Sequence, residues 1–187
     1  CILARLCRYK SCAIYKSAQR ENCLRTFQRS GDCWRHSAPH AMHYENAKLC
    51  IEHGKNVLVE KAFTANAKQA GELIDLAKKN SVFLAEAIWT RYMPALQMIK
   101  DIIAEDKIGK VDSVEADFSM PISYVQRLYD PGLAGGALLD LGVYTLTFAS
   151  MFLGDDIVST RSRCTKYSTG VDATDHIELT YRDGRQA

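Results

Sequence analysis

The 187-residue chain is long enough for one large hydrophobic core or two small domains. Its 47% hydrophobic and 25% charged residues are typical of a globular protein, and a net charge of +2 indicates neither nucleic acid nor a membrane surface as a partner. Because it contains no run of about 18 uncharged apolar residues and no signal-peptide core, we expect a cytoplasmic protein without a membrane span.

The first 36 residues differ in composition from the rest of the chain. They hold eight of the 24 Lys and Arg residues, two of the 22 Asp and Glu residues and five of the seven cysteines. No C-x-x-C pair occurs and the spacings fit no zinc pattern, so we expect neither a metal site nor a disulfide framework. We interpret 1–36 as an atypical basic, Cys-rich segment, because it has a single glycine and precedes the first methionine, Met42. In one interpretation, these residues are translated from the wrong reading frame. We expect no Rossmann strand there that pairs beside 56–60.

The region that follows alternates between helix and strand patterns. A short helix is predicted over 47–51, with Gly54 in the position of a left-handed C-terminal cap. Apolar runs predict strands over 56–60 and 82–88. Between the two strands, Thr64 is expected to cap a helix. The predicted buried face of that helix repeats with helical spacing: Ala70, Leu73, Ile74 and Ala77. This order, with short connections, predicts a parallel β-α-β unit.

The second half of the chain has a different pattern. An amphipathic helix is predicted over 93–106, and the alternating apolar residues of 111–120 predict a strand with one solvated face. A mostly buried helix is predicted over 135–154. Residues 175–187 are expected to form a strand that runs into an Asp-Gly turn.

A Glu-Lys pair, Glu60 and Lys61, ends the strand predicted over 56–60. The carboxyl ends of parallel strands are where α/β proteins bind ligands, so Lys61 is a candidate site residue. The other interpretation is that the pair only marks the point where the strand meets solvent. Both interpretations are open from these residues alone.

Asp140 and Tyr144 are four residues apart in the helix predicted over 135–154, which puts their side chains on one face. Because an unpaired buried charge is unfavourable, Asp140 needs either a functional role or a structural partner, such as a cap or a buried ion pair. A lone tyrosine in this setting is more often a core residue than a catalyst. Together with a lysine, however, the two residues form a candidate proton-transfer set, since a cation lowers the pKa of tyrosine from its usual value of about 10.

Four motifs occur in order along the chain: "HYENAKLCIEHGKNVLVEKAF", "EAIWTRYMP", "IGKV" and "RLYDPGLAGGALLDLGVY". With these motifs the chain resembles the Gfo/Idh/MocA oxidoreductase family, above all its dimeric dihydrodiol dehydrogenase and NADP-dependent D-xylose dehydrogenase branch. The resemblance implies an α/β fold, α+β overall, with a partial Rossmann parallel unit over 37–90. It implies a truncated substrate and dimerisation domain over 91–187, with an open, largely antiparallel sheet.

The resemblance also implies the site residues and the ligands. Lys61, Asp140 and Tyr144 are the expected catalytic residues and should face one pocket. The expected cofactor-binding residues are Pro39, His40, His43, Glu60 and Lys61. The expected substrate-pocket residues are Trp89, Arg91 and Arg127. A packing or helix-start role for His43, and a surface role for Arg127 and for 89–91, remain open alternatives. The implied ligands are NADP (or NAD) and a small sugar or diol, in a homo-oligomer formed through the C-terminal sheet.

The implied reaction transfers hydride between the carbon of a sugar or diol hydroxyl and the nicotinamide. Tyr144 would be the general base, Lys61 would lower its pKa, and Asp140 would orient the substrate or Lys61. Two departures from the family pattern matter. Ala62 stands where the family usually has proline, and the sequence contains no G-x-G-x-x-G phosphate loop, so we expect weak NADP binding. The alternative function is a catalytically silent fragment of such an enzyme that acts only as an association module.

Overall fold

The structure, a computed structural model, describes residues 13–16, 33–122 and 124–187. It divides into two compact units. The first unit comprises residues 1–88 and 132–134, and the second comprises 89–131 and 135–187. Each unit has its own β-sheet and its own cluster of buried apolar side chains.

The first unit contains a four-stranded parallel sheet in the order β1-β2-β3-β4. Its strands are β1 (Ala13–Lys16), β2 (Cys33–Ser37), β3 (Asn56–Val59) and β4 (Leu84–Glu86). Helix α1 (His43–Glu52), preceded by a 3-10 turn at His40–Met42, connects β2 to β3, and helix α2 (Ala67–Lys79) connects β3 to β4. The predicted parallel β-α-β unit is therefore confirmed.

The expectation that 1–36 would contribute no strand beside 56–60 is wrong. Strand β2 pairs in parallel with β3, with Cys33 opposite Asn56 and His36 opposite Val59, and β1 pairs in parallel with β2. The basic and Cys-rich composition of this segment did not indicate a strand. Backbone hydrogen bonds to a neighbouring strand do not depend on side-chain type, so tertiary context can override a weak β propensity.

The core of the first unit lies between the two helices and β3. Its fully buried members come from all three elements: Ala47, Cys50, Ile51, Val57, Val59, Leu73 and Ala77. Two details differ from the prediction. The N-cap of α2 is Asn66, whose side chain accepts a hydrogen bond from the backbone N–H of Gln69, while Thr64 donates to the Asn66 carbonyl. Ile74 is 43% exposed, because the buried face of this helix includes fewer residues than the apolar face that the sequence predicts.

The second unit contains two α-helices, α3 (Pro94–Ala104) and α4 (Val143–Leu153), and the antiparallel pair β5 (Ile157–Lys166) and β6 (Asp172–Tyr181). A π-helix at Leu138–Gly142 leads directly into α4. Short 3-10 turns complete the unit: Trp89–Tyr92, Gln126–Tyr129 and Pro131–Leu133, the last of which is shared with the first unit.

The strand predicted over 111–120 is absent from the described residues. The segment makes a single bridge, at Ser113 to Gln186, and the Val114 N–H donates to the Gln186 carbonyl over 3.0 Å. Val111 and Val114 contact the cluster around Leu179, but Ala116 and Phe118, which alternate with Val114 in the sequence, are exposed. The predicted alternation therefore does not correspond to a buried face. A strand also needs a long backbone partner, and here the partner is very short.

The Asp-Gly turn after β6 is confirmed. Gly184 has φ of +88°, in the region that favours glycine, and the Tyr181 N–H donates to the Arg185 carbonyl over 3.0 Å. The chain then runs back beside β6, where Leu179 and Ala187 exchange two backbone hydrogen bonds. Strand β5 was not anticipated, since most of its residues are polar and all are exposed.

The helical segment 131–153 is less buried than predicted. Only 28% of its most apolar window is buried, since an apolar composition alone does not determine burial. Among the described residues this is the one stretch whose length and composition would allow it to cross a membrane. A core helix of a globular protein passes the same test, and the buried carboxylate of Asp140 in this helix disfavours a membrane span.

Two neighbouring carboxylates lie at the start of β6, and one of them contacts the beginning of this helical segment. Asp172 accepts a hydrogen bond from the Leu138 N–H over 2.6 Å, which satisfies one of the N–H groups left open at a helix start. Burial raises the pKa of the Asp175 carboxyl to about 6, and a hydrogen bond to Asp172 and the Asp172 charge add to the effect. The folded protein therefore holds a proton at Asp175 more tightly than the unfolded chain does.

We predict that Asp175→Asn removes a pH dependence of stability. With a folded pKa of about 6 and an unfolded pKa of about 3.9, the contribution of Asp175 to the free energy of unfolding is greatest below about pH 4 and is lost as the pH rises through about 6. The variant should therefore match the parent near pH 4 and exceed it by about 1–2 kcal/mol near pH 7.5 in urea unfolding.

The matched control for this prediction is Asp183→Asn. A hydrogen bond from the Arg185 backbone N–H lowers the pKa of Asp183, so its contribution has the opposite sign and is lost as the pH falls. The control variant should lose stability near pH 7.5. Equal pH profiles for the Asp175 variant and the parent would contradict the assignment.

Candidate active site

The carboxyl ends of β2, β3 and β4 lie at one edge of the parallel sheet. Lys61 and Glu60 follow β3 directly, and both are partly buried. The peptide bond between Lys61 and Ala62 is cis. Ala62 itself is buried, with 4% of its surface exposed. Since ligands bind at this edge in open α/β sheets, the position of Lys61 is that of a candidate site residue.

Two histidines lie just after β2 and are almost fully buried. The Nδ1 atom of His43 is 2.6 Å from the Ala62 carbonyl oxygen, and its Nε2 atom is 2.9 Å from the Ala38 carbonyl oxygen. The Nδ1 atom of His40 is 3.1 Å from the Ala134 carbonyl oxygen, and the two rings pack edge to face at 5.6 Å. These contacts support a packing role for His43. A cofactor contact by Pro39, His40 or His43 stays a prediction.

In the second unit, Tyr144 lies in an aromatic cluster. The indole Nε1–H of Trp89 donates a hydrogen bond of 3.1 Å to the Tyr144 hydroxyl, with the rings 6.0 Å apart. Phe118 packs edge to face against the same tyrosine at 5.4 Å. Trp89 is 48% exposed and Phe118 41%, so the cluster is open to solvent. The hydroxyl therefore combines a fixed N–H donor with an accessible surface.

Asp140 is buried beside an arginine. Its carboxylate accepts a hydrogen bond of 3.1 Å from Arg127 Nη2, with 7% of the Asp140 side chain and 42% of the Arg127 side chain exposed. The ion pair is the structural partner that a buried carboxylate requires. Because Arg127 is partly exposed, the ion pair is also compatible with a role for Arg127 in orienting a substrate.

Two glycines allow this pairing. A Cβ atom on Gly135 would lie 2.6 Å from the Leu128 carbonyl oxygen, and one on Gly136, whose φ is +114°, would overlap the Asp172 carboxylate. The Gly136 N–H donates to the Leu128 carbonyl over 3.0 Å. The turn that carries Arg127 can therefore lie directly against the start of the helix that carries Asp140.

Arg91 contacts the far part of α4. Its Nη2 atom donates to the Ser150 hydroxyl over 3.2 Å, and Ser150 donates to Asp155 over 2.6 Å. All of these contacts are solvent-exposed. They support a surface role for Arg91, whereas Trp89 from the same turn contacts Tyr144.

Within each unit, some of the predicted site residues contact one another or contact residues that were not predicted. Two further residues of the site, Phe118 and Glu86, were not identified from the sequence. Asp140 pairs with Arg127, and Tyr144 pairs with Trp89. Phe118 was missed because it was assigned to a solvated strand. Glu86, at the end of β4, accepts a hydrogen bond from the Phe63 N–H over 2.8 Å. It could have been found by the signal that identified Glu60, a carboxylate at the end of a buried strand.

No group of three or more His, Cys, Asp or Glu side chains that could hold a metal ion occurs in the part of the chain that the structure describes. Glu60 and Lys61 lie at the carboxyl edge of the parallel strands, where open α/β sheets bind dinucleotides, so the residues present fit one end of such a cofactor. The glycines that would hold its pyrophosphate are not in the 187-residue sequence.

Two family models match the chain over consecutive regions. Residues 36–87 match a model described as an oxidoreductase family with an NAD-binding Rossmann fold, and residues 96–187 match the GFO/IDH/MocA C-terminal domain. The boundary between the two matches falls close to the boundary between the two units near residue 88.

Curated relatives share about two fifths of the aligned residues. A trans-1,2-dihydrobenzene-1,2-diol dehydrogenase from Xenopus laevis is 41% identical over 151 residues, which cover 80% of this chain and 46% of that protein. A D-xylose 1-dehydrogenase (NADP(+)) from Hypocrea jecorina is 40% identical over 153 residues, which cover 73% of this chain and 39% of that protein. The chain thus spans less than half the length of these relatives.

A solved structure of similar fold is a 3-ketoreductase from Actinomadura kijaniata, in complex with NADP and TDP-benzene. Its open conformation aligns with a TM-score of 0.75 at 30% identity, covering 88% of this chain and 50% of that one. A second structure of the same protein aligns with a TM-score of 0.79 at 27% identity, covering 95% of this chain and 60% of that one.

We predict that Arg127→Met destabilises the second unit by about 1–3 kcal/mol, because it removes a hydrogen-bonded cation from a buried carboxylate. The destabilisation should be smaller than for a fully buried ion pair, because Arg127 is partly solvated. Urea unfolding followed by Trp89 fluorescence in a Trp34→Phe background measures the change.

The control for this experiment is Arg182→Met. Arg182 pairs with Asp156, but 72% and 66% of the two side chains are exposed. Such a pair is worth roughly 0–1 kcal/mol. Equal losses from the two substitutions would show that Asp140 does not depend on Arg127.

Proposed function

Because the chain belongs to the Gfo/Idh/MocA oxidoreductase family, we propose that it carries the catalytic residues of an NAD(P)-dependent dehydrogenase acting on a sugar or trans-dihydrodiol hydroxyl. The observation that carries the proposal is the Tyr144 hydroxyl, which accepts a hydrogen bond from Trp89 and lies four residues after the buried Asp140. The substrate class rests on the names of the relatives, a dihydrodiol dehydrogenase and a D-xylose dehydrogenase.

Tyr144 is the proposed general base. Oxidation of an alcohol removes a proton from the hydroxyl and a hydride from its carbon, and NADP accepts the hydride when it is bound. In its deprotonated, phenolate form Tyr144 takes the hydroxyl proton of the substrate, becomes the neutral phenol, and later passes that proton to solvent. The Trp89 N–H, 3.1 Å from that oxygen, stabilises negative charge on it.

Lys61 is the proposed cation at the reacting oxygen. Its ammonium group donates to the substrate oxygen as the bond to hydrogen breaks, and favours the charged form of Tyr144. Asp140 holds the Arg127 guanidinium, whose exposed part orients the substrate hydroxyls. Glu60, Pro39, His40 and His43 are proposed to contact the cofactor from the sheet edge.

The proposal also covers the ligands, the partner and the cellular location. Small-molecule substrates and a dinucleotide are the proposed ligands, and a second copy of the protein, associating through the exposed sheet of β5 and β6, is the proposed partner. A cytoplasmic location fits the exposed thiol of Cys164.

The second candidate function is a catalytically silent fragment that acts as an association module. One observation favours it. Strand β5 is exposed along its whole length, and a sheet face of this kind can be covered by another chain.

We predict that the 187-residue chain binds NADP weakly and does not turn over, whereas a version extended with a glycine-rich Rossmann first unit is active. In the extended version, Tyr144→Phe should lower kcat by about 10²- to 10⁴-fold with little change in NADP affinity, because it removes the proton-accepting oxygen and keeps the ring. Fluorescence titration with NADP and NADPH formation from D-xylose or a trans-dihydrodiol measure both quantities.

Phe118→Leu is the control, since it alters the packing around Tyr144 without removing an ionisable group. Micromolar NADP binding with turnover by the 187-residue chain would contradict the fragment interpretation. Full turnover by the extended Tyr144→Phe variant would contradict the catalytic assignment.

A further inference from the structure

One peptide group next to Lys61 is held at both ends by ionisable side chains. The carbonyl oxygen of Ala62 lies 2.6 Å from His43 Nδ1. The N–H of Phe63, which belongs to the same peptide group, donates to Glu86 Oε1 over 2.8 Å. The two side chains come from different elements, the first residue of α1 and the last residue of β4.

The two ends of this peptide group contact different kinds of side chain. The His43 ring nitrogens lie beside the carbonyl oxygens of Ala62 and Ala38, and a carbonyl can only accept a hydrogen bond. Glu86 supplies a carboxylate at the other end. Hydrogen bonds with one charged partner are about twice as strong as neutral ones, and bonds in series reinforce each other.

The backbone around Lys61 is therefore fixed on both sides. Strand β3 holds the chain up to Val59 through its ladders with β2 and β4. The His43 and Glu86 contacts hold it again at the Ala62–Phe63 peptide group. Between these two points lie only Glu60 and Lys61.

We propose that Glu86 and His43 are positioning residues that clamp the Ala62–Phe63 peptide group and thereby orient the Lys61 side chain. This inference rests on the proposed function, in which Lys61 donates to the substrate oxygen. Such a donor must be held close to its productive geometry by rigid neighbours. Glu86 and His43 need not touch substrate or cofactor in this role.

The first readout is the Phe63 amide of the ¹⁵N-labelled 187-residue chain. Glu86→Ala should lower its protection from hydrogen exchange by about tenfold or more, because a bond to a charged acceptor is lost. Glu86→Gln keeps an acceptor oxygen and should restore most of the protection, but its amide proton should shift upfield because the charge is gone. Glu72→Ala, which removes a carboxylate bound to Tyr44 in the same unit, should leave the Phe63 amide unchanged.

The second readout is the rate at which acetic anhydride modifies Lys61, measured by mass spectrometry relative to the exposed Lys78. Glu86→Ala and His43→Asn should raise the Lys61 rate by about threefold or more, since a loosened segment exposes its amine. Glu86→Gln and Glu72→Ala should change it far less.

Unchanged Phe63 protection in Glu86→Ala would show that the clamp does not exist. Lost protection with an unchanged Lys61 rate would show that the clamp is structural and does not position Lys61. If Glu86→Ala fails to fold, the Phe63 shift and Lys61 rate in Glu86→Gln and His43→Asn decide the question. None of these readouts requires turnover, so the clamp can be tested even if the chain has no dehydrogenase activity.

Discussion

The parallel hydrogen-bond ladder that joins β2, β3 and β4 is the constraint on which the first unit depends. Parallel pairing brings the carboxyl ends of these strands to one edge, so the residues that follow each strand become neighbours although they are far apart in sequence. Ala38, Ala62 and Glu86 follow or end three different strands, and the contacts of His43 and Glu86 connect them. The surroundings of Lys61 are thus a consequence of backbone pairing.

In the second unit the equivalent constraint is the burial of Asp140. A carboxylate with 7% of its side chain exposed needs a partner such as the Arg127 cation, and Gly135 lets the turn that carries Arg127 lie against the helix start. Gly136 leaves room for Asp172, which accepts a hydrogen bond from the Leu138 N–H of the same segment. One turn further along, Tyr144 is held by Trp89. The surroundings of Tyr144, the proposed acid/base residue, therefore depend on contacts between segments that are distant in sequence.

Much of the fold could be predicted from periodicity, because α1, β3, α2, β4 and α3 each have a clear apolar pattern. The failures share one physical cause, since they concern elements defined by partners distant in sequence. Strand β2 exists through its ladder with β3, and 111–120 has too short a partner to form a strand. Ile74 is exposed because no described residue covers that edge of α2. No local pattern contains this information.

The candidate site likewise contains residues that the sequence could predict and residues that it could not. Spacing alone indicated Asp140 and Tyr144, and the end of an apolar run indicated Lys61. Glu86 and Phe118 could not be ranked without contacts, because a carboxylate at a strand end and an aromatic residue in an alternating run are common features. The ion pair of Asp140 was one of two explanations open from the residues, and only the geometry shows that the partner is Arg127.

The central proposal is that Lys61 and Tyr144 serve one reacting oxygen. A crystal structure of the 187-residue protein that gives the distance between Lys61 Nζ and the Tyr144 hydroxyl tests it most directly. The account predicts a separation of about 3–7 Å, which allows a direct hydrogen bond or a bridge through one substrate atom or water. A separation of more than about 10 Å would contradict it, since the two groups could not then act on the same oxygen.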